Sequence, residues 1–124
     1  MNENTIAIID FGSQYTQLIA RRVRELNIYS IILPHDFKDS HVDFSKIKGI
    51  ILSGGPSSVY SKNSPKLNKS LIFCKVPILG VCYGLQLLIE HFDGIVESGK
   101  LGEYGPSSIL IKRKSKLFKN ISEK

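Results

Sequence analysis

Short apolar runs rich in β-branched residues alternate with segments of helical spacing as far as Phe92, and this alternation most constrains the fold. Thr5-Ile6-Ala7-Ile8-Ile9, ending at Asp10, predicts a buried strand. Tyr29 to Leu33, closed by Pro34, predicts a second, Gly49-Ile50-Ile51-Leu52 a third and Val76 to Val81 a fourth. Gly12 and Ser13 turn the chain, and Ser13 is the predicted N-cap of a helix over Gln14 to Leu26. There Tyr15, Leu18, Ile19, Val23 and Leu26 form the apolar stripe, with Gln17, Arg21, Arg24 and Glu25 on the wet side. His35 to Lys46 reads as a polar loop. Ser64-Pro65 opens a predicted helix reaching about Phe73, and a further helix spans Tyr83 to Phe92. Two β-like stretches follow Gly94, at Ile95-Val96-Glu97 and Ser108-Ile109-Leu110-Ile111. Alternating strand and helix predicts an α/β fold, a parallel sheet with helices on both faces. In such sheets the chemistry gathers at the carboxyl ends of the strands.

Three features fall at those ends: Asp10-Phe11-Gly12-Ser13, Ser53-Gly54-Gly55-Pro56 and Gly80-Val81-Cys82-Tyr83-Gly84. The last joins a strand to a helix through a turn with a thiol at its apex. It is the cysteine form of the G-x-S-x-G nucleophile elbow. Flanking glycines are needed where neighbouring elements leave no room for a Cβ, and the turn lifts the sulfur clear of the sheet. The thiol also stands at a helix N-terminus, whose unpaired N–H groups and dipole favour an anion. A nucleophilic Cys82 attacks a carbonyl and forms a thioester. Backbone N–H groups at Gly54, Gly55 and Tyr83 are the matching candidates for an oxyanion hole. The glycine loop lacks the lysine pattern of a phosphate loop. Gln86 lies one helical turn beyond Cys82 on the same side and is placed to hold a polar substrate group.

Charge and composition narrow the classes. The net charge is +6, and most of it sits on Lys112, Arg113, Lys114, Lys116, Lys119 and Lys124, opposed there by Glu123 alone. Phe118 is the one aromatic in that stretch, so it reads as a solvated basic tail rather than a nucleic-acid face. No apolar run is long enough to span a bilayer, and the N-terminus lacks the basic stretch of a signal peptide. The expected location is cytoplasmic. Of the two cysteines, Cys74 reads as a small buried hydrophobe, and no Cys/His cluster has zinc spacing.

The histidines fit a cysteine nucleophile poorly. Acyl transfer by cysteine normally uses an imidazole as base and acid. His91 is nine residues after Cys82 on one predicted helix, so it points away from the sulfur. His35 and His41 sit in the loop after the second strand, with no evident route to it.

Gly80 to Gln86 together with Leu52-Ser53-Gly54-Gly55-Pro56 resembles the class I (triad-type) glutamine amidotransferases. The opening Asp10-Phe11-Gly12-Ser13-Gln14-Tyr15-Thr16-Gln17-Leu18-Ile19-Ala20-Arg21-Arg22-Val23-Arg24-Glu25 is narrower. It resembles the N-terminal glutaminase domain of the branch that feeds ammonia to the amination of XMP to GMP. The resemblance implies a flavodoxin-like sheet and glutamine hydrolysis through Cys82. Gly55 and Tyr83 match the oxyanion-hole positions, and Gln86 matches a glutamine-binding position. Glu103-Tyr104-Gly105 resembles a family segment near the active site, with Gly102 where an arginine often stands. The glutaminase domain itself implies no cofactor and no metal. The partner it implies is an ATP-pyrophosphatase (synthetase) domain or subunit, which would use ATP and magnesium.

The resemblance also implies what is missing. The catalytic histidine and its glutamate belong to a downstream His-x-Glu motif, and nothing after Lys112 resembles one. The expectation is a partial amidotransferase domain over 1–111 and a basic tail over 112–124 where the domain is cut short, with weak or no turnover. Two other readings stay open. One is a non-catalytic binding or regulatory module that retains the fold. The other is the glutaminase subunit of a chorismate-using synthase, whose elbow usually has leucine and histidine where Tyr83 and Leu85 stand.

Overall fold

The computed structural model describes residues 3–55, 63–96, 108, 110 and 115–120. They form β1 (Thr5–Asp10), α1 (Thr16–Glu25), β2 (Tyr29–Pro34), β3 (Ile47–Leu52), α2 (Ser70–Phe73), β4 (Ile78–Gly80) and α3 (Tyr83–His91). The sheet is parallel and four-stranded, in the order β2-β1-β3-β4. This is the flavodoxin-like order as far as its fourth strand. β1 is paired on both sides, which is why Ala7, Ile8 and Ile9 are buried outright.

Alternation along the strands divides the core between the two faces. Ala7 and Ile9 join Ile50, Leu52, Leu71, Tyr83 and Leu87 in one cluster, on the side of α2 and α3. Ile8 points the other way, where α1 packs on β1 and β2. The sheet therefore carries helices on both faces.

The stripe that α1 buries differs from the sequence reading. Thr16 and Ala20 are buried and Ile19 and Val23 half-buried, a stripe with i, i+3, i+4, i+7 spacing. Tyr15 and Leu26, assigned to the apolar stripe, are 58% and 71% exposed, and Leu18 is exposed as well. Small residues let the helix lie close to the sheet, and the larger hydrophobes fall on its margin. Ser13 is not the N-cap. Tyr15 holds that position, two residues later, and the Ser13 hydroxyl accepts the Tyr15 N–H at 3.0 Å. Arg24, read as solvated, folds back onto β2. Its Nε donates to the Ser30 hydroxyl and its Nη2 to the Ser30 carbonyl, both at 3.0 Å.

Other boundaries shift for local reasons. The 35–46 stretch contains two 3-10 turns, Asp39–His41 and Phe44–Lys46, and packs Phe37, Val42 and Phe44 against the core. The helix expected from Ser64 begins only at Ser70. The Asn68 side chain accepts the Ser70 N–H at 3.0 Å, and the Pro65 carbonyl is taken by the Tyr83 hydroxyl. β4 is shorter than Val76 to Val81 because Pro77 has no N–H for the ladder, although its carbonyl still accepts from Ile50 at 3.0 Å. The β-like stretches form no strand at the described Ile95, Val96, Ser108 and Leu110. Among the described residues they have no sheet neighbour to take their backbone groups.

Candidate active site

The elbow follows directly from β4. Cys82 has φ 51° and ψ −116° and is the N-cap of α3. A side chain in that region of backbone space is strained, and the reversal it makes leaves the thiol exposed. Two backbone bonds tie the elbow to β3. Val81 N–H donates to the Leu52 carbonyl at 2.9 Å, and Gly84 N–H to the Ser53 carbonyl at 3.2 Å. A Cβ on Gly84 would stand 2.3 Å from the Leu52 carbonyl oxygen, so a glycine is what lets α3 start this close to the strand.

The glycine loop after β3 is pressed between two walls. A Cβ built on Gly54 would lie 3.1 Å from the Cys82 Cβ and 3.6 Å from its Sγ. One on Gly55 would lie 2.4 Å from the Phe11 carbonyl oxygen. The loop therefore touches the thiol on one side and the turn after β1 on the other. Tyr83 opens α3, and its backbone N–H donates to no backbone carbonyl among the described residues. First-turn N–H groups of a helix have no partner within it. The Tyr83 side chain is buried, with its ring edge-on to Phe11 at 5.5 Å.

The thiol opens on a cleft of about 370 Å³ lined by Gly12, Ser13, Gln14, Tyr15, Gly54, Gly55 and Cys82. That size suits a small molecule. The cleft lies at the carboxyl ends of β1, β3 and β4. It includes the point between β1 and β3 where the strand order reverses, the usual ligand crevice of open α/β sheets.

The positions singled out in the sequence thus separate. Cys82, Gly54 and Gly55 share the cleft, and Tyr83 is the residue after the thiol. Gln86 is half-buried one turn on, its N–H bonded to the Cys82 carbonyl at 3.2 Å, and does not line the cleft. None of the three histidines lines it either. His35 stacks on Phe11 at 6.3 Å, His41 lies in an exposed turn, and His91 ends α3 against Phe92. Glu103-Tyr104-Gly105 and most of the basic segment lie outside the described residues. Gly12 and Ser13, read from the sequence as part of a strand-end feature, line the cleft, and what residue patterns missed is the contribution of Gln14 and Tyr15. Their signal was the turn at Gly12, whose φ is 99°.

Cys74 is a free thiol and half-buried; its Sγ donates to the Leu71 carbonyl at 3.1 Å, and burial pushes its pKa up. Among the described residues no three His, Cys, Asp or Glu side chains gather as a metal site would require.

The sequence model of the family described as "Glutamine amidotransferase class-I" matches residues 7–124. A GMP synthase [glutamine-hydrolyzing] from Mesoplasma florum is 50% identical over 124 residues, spanning 98% of this chain and 24% of that one. The protein of the same name from Borrelia garinii is 46% identical over 125 residues, spanning 100% of this chain and 24% of its own. The chain therefore spans about a quarter of the length of these curated relatives. Among solved structures, a protein described as a GMP synthase subunit from Thermoplasma acidophilum superposes with a TM-score of 0.75. It shares 25% identity, over 96% of this chain and 60% of that one.

Proposed function

Since the chain belongs to the class I glutamine amidotransferase family, we propose that its cleft hydrolyses glutamine to glutamate and ammonia. The proposed product ammonia serves the amination of XMP to GMP by an ATP- and magnesium-dependent synthetase domain or subunit. The curated relatives, which carry the name of that synthase, support this reading.

In the proposed reaction the Cys82 sulfur attacks the side-chain amide carbon of glutamine. The oxyanion that develops accepts hydrogen bonds from the backbone N–H groups of Gly55 and Tyr83. Collapse breaks the C–N bond, and ammonia leaves with the proton that the Cys82 thiol gives up. Water then attacks the thioester, returning the thiol and releasing glutamate. Gln86, one turn beyond Cys82 on α3, is assigned to glutamine binding from beside the cleft, on its match to the family's glutamine-binding position.

The observation that carries this reading is the exposed Cys82 at φ 51°, set against Gly54 at the mouth of a parallel sheet. A buried structural cysteine has no use for that conformation. General acid–base catalysis contributes roughly 10²–10⁴-fold, and no histidine of this sequence lines the cleft. Turnover by the 124-residue chain alone is therefore proposed to be weak.

Covalent capture tests the nucleophile separately from turnover. Incubation with a chloroketone analogue of glutamine, followed by peptide mass mapping, is expected to place one adduct on Cys82 and none on Cys74. Excess glutamine is expected to protect. Labelling of both thiols without protection would overturn the reading. Saturable glutamine binding without any adduct would point instead to a non-catalytic binding module.

A further inference from the structure

We infer that Thr16 is a positioning residue for the thiol site, bridging through its buried hydroxyl the two loops that flank the cleft. The inference rests on the glutaminase reading above. Thr16 is the first residue of α1 and only 2% exposed. Its Oγ1 lies 3.3 Å from Asp10 Oδ1 and 3.2 Å from the Ser53 hydroxyl. Asp10 Oδ1 also accepts the Gly12 N–H at 2.8 Å, which fixes the turn forming one wall of the cleft. Ser53 is fully buried and directly precedes Gly54 and Gly55. Its hydroxyl donates to the Ile9 carbonyl at 2.6 Å, and its carbonyl accepts the Gly84 N–H of the elbow helix.

Proton counting sets the importance of Thr16. The Ser53 hydroxyl has one proton, and the short bond to Ile9 takes it. The Asp10 carboxylate has none to give. The Thr16 hydroxyl, also with one proton, is therefore the donor that stands between them, serving the carboxylate and the Ser53 oxygen in turn or through one bifurcated contact. Without it the half-buried Asp10 carboxylate, left with the Gly12 N–H, and the buried Ser53 oxygen lose the donor they share, and buried polar groups that lose a partner are disfavoured. The turn after β1 and the glycine loop would then separate. That movement displaces Gly55, whose backbone rests on the Phe11 carbonyl, relative to the sulfur. The sulfur itself is held by β4 and α3 and stays accessible. Thr16 thus governs the fit of a glutamine amide, not the reactivity of a bare thiol.

Two reagents separate those effects in the 124-residue chain. Iodoacetamide reads thiol access, and the chloroketone analogue of glutamine reads the assembled cleft. Thr16→Val is expected to lower the chloroketone rate constant about tenfold, the scale of one buried hydrogen bond, with the iodoacetamide rate within about twofold of wild type. Thr16→Ser, which keeps the hydroxyl, is expected to restore most of the selectivity. Thr16→Ala provides the same test should Thr16→Val lose its far-ultraviolet circular dichroism. Unchanged chloroketone selectivity in the folded hydroxyl-less variant, or an equal fall with both reagents, would overturn the inference alone. A wild-type chain showing no preference for the glutamine analogue would overturn the glutaminase reading and this inference with it.

Discussion

The cleft rim and the flank built from residues 35–46 and 63–74 are fastened in different ways. At the rim, backbone rests on backbone, and the side-chain tie from Thr16 to Ser53 is buried. The carbonyl of Leu52 occupies the space a Cβ on Gly84 would need, and the carbonyl of Phe11 does the same for Gly55. On the flank, exposed polar side chains make the ties. Asp39 accepts from the Asn68 side chain at 2.8 Å and from the Ser70 hydroxyl, joining a 3-10 turn to the start of α2 at an exposed surface. Backbone packing has no rotamers and cannot yield without moving whole elements. Exposed side-chain bonds exchange with water at little net cost. The difference teaches that precision in this fold is spent where the thiol stands.

The contrast predicts a steep order of effects. Gly84→Ala is the severest change, because the new methyl would lie within 2.6 Å of three Leu52 atoms. Overpacking of this kind costs about 3 kcal/mol, and a urea titration of the folded chain should show the midpoint fall accordingly. A midpoint equal to wild type would mean that the rim yields as readily as the flank.

Cys82→Gly sharpens the comparison from the opposite direction. It removes the strained side chain at φ 51°, and glycine adopts that backbone freely. Relief of such strain, reduced by the extra entropy of an unfolded glycine, should raise stability by about 1 kcal/mol while abolishing capture of the glutamine analogue. Loss of stability instead would show that the cysteine serves packing.

The flank gives the smallest effect, and one that depends on pH. The Ser70 hydroxyl, with the Asn68 amide, holds the Asp39 carboxyl below its ordinary range. The fold therefore favours the ionised form. That contribution is complete above the unfolded carboxylate pKa and is lost as pH falls through the lowered folded value. The wild type should be more stable than Asp39→Asn at neutral pH, and the gap between the two should close toward the acid end. Urea midpoints measured from pH 7 downward would show it, and a gap that widens in acid would refute the assignment.

Much of the frame was legible in the chain because it is written in local patterns. The apolar runs at Thr5, Tyr29 and Gly49 became β1, β2 and β3 within a few residues. The glycines around Cys82 mark the elbow in the sequence itself, since close approach excludes a side chain whatever the surroundings. The misreadings came where a neighbour distant in sequence decides. Tyr15, Leu18 and Leu26 looked like the buried side of α1. Yet the sheet received Thr16 and Ala20, because a helix settles on the face that lets it come nearest. Ser64-Pro65 carried a start signal that Tyr83 and Asn68 overrode.

The sequence by itself determined that a thiol would stand between a strand and a helix in a parallel α/β sheet, because periodicity and glycine placement act over a few residues. Only the tertiary structure decided that the turn at Gly12 shares a cleft with Gly54, Gly55 and Cys82, and that the Thr16 hydroxyl lies between Asp10 and Ser53. Those meetings depend on strand order and register, which bring β1 beside β3 and β3 beside β4. No local pattern in the chain specifies which strands become neighbours.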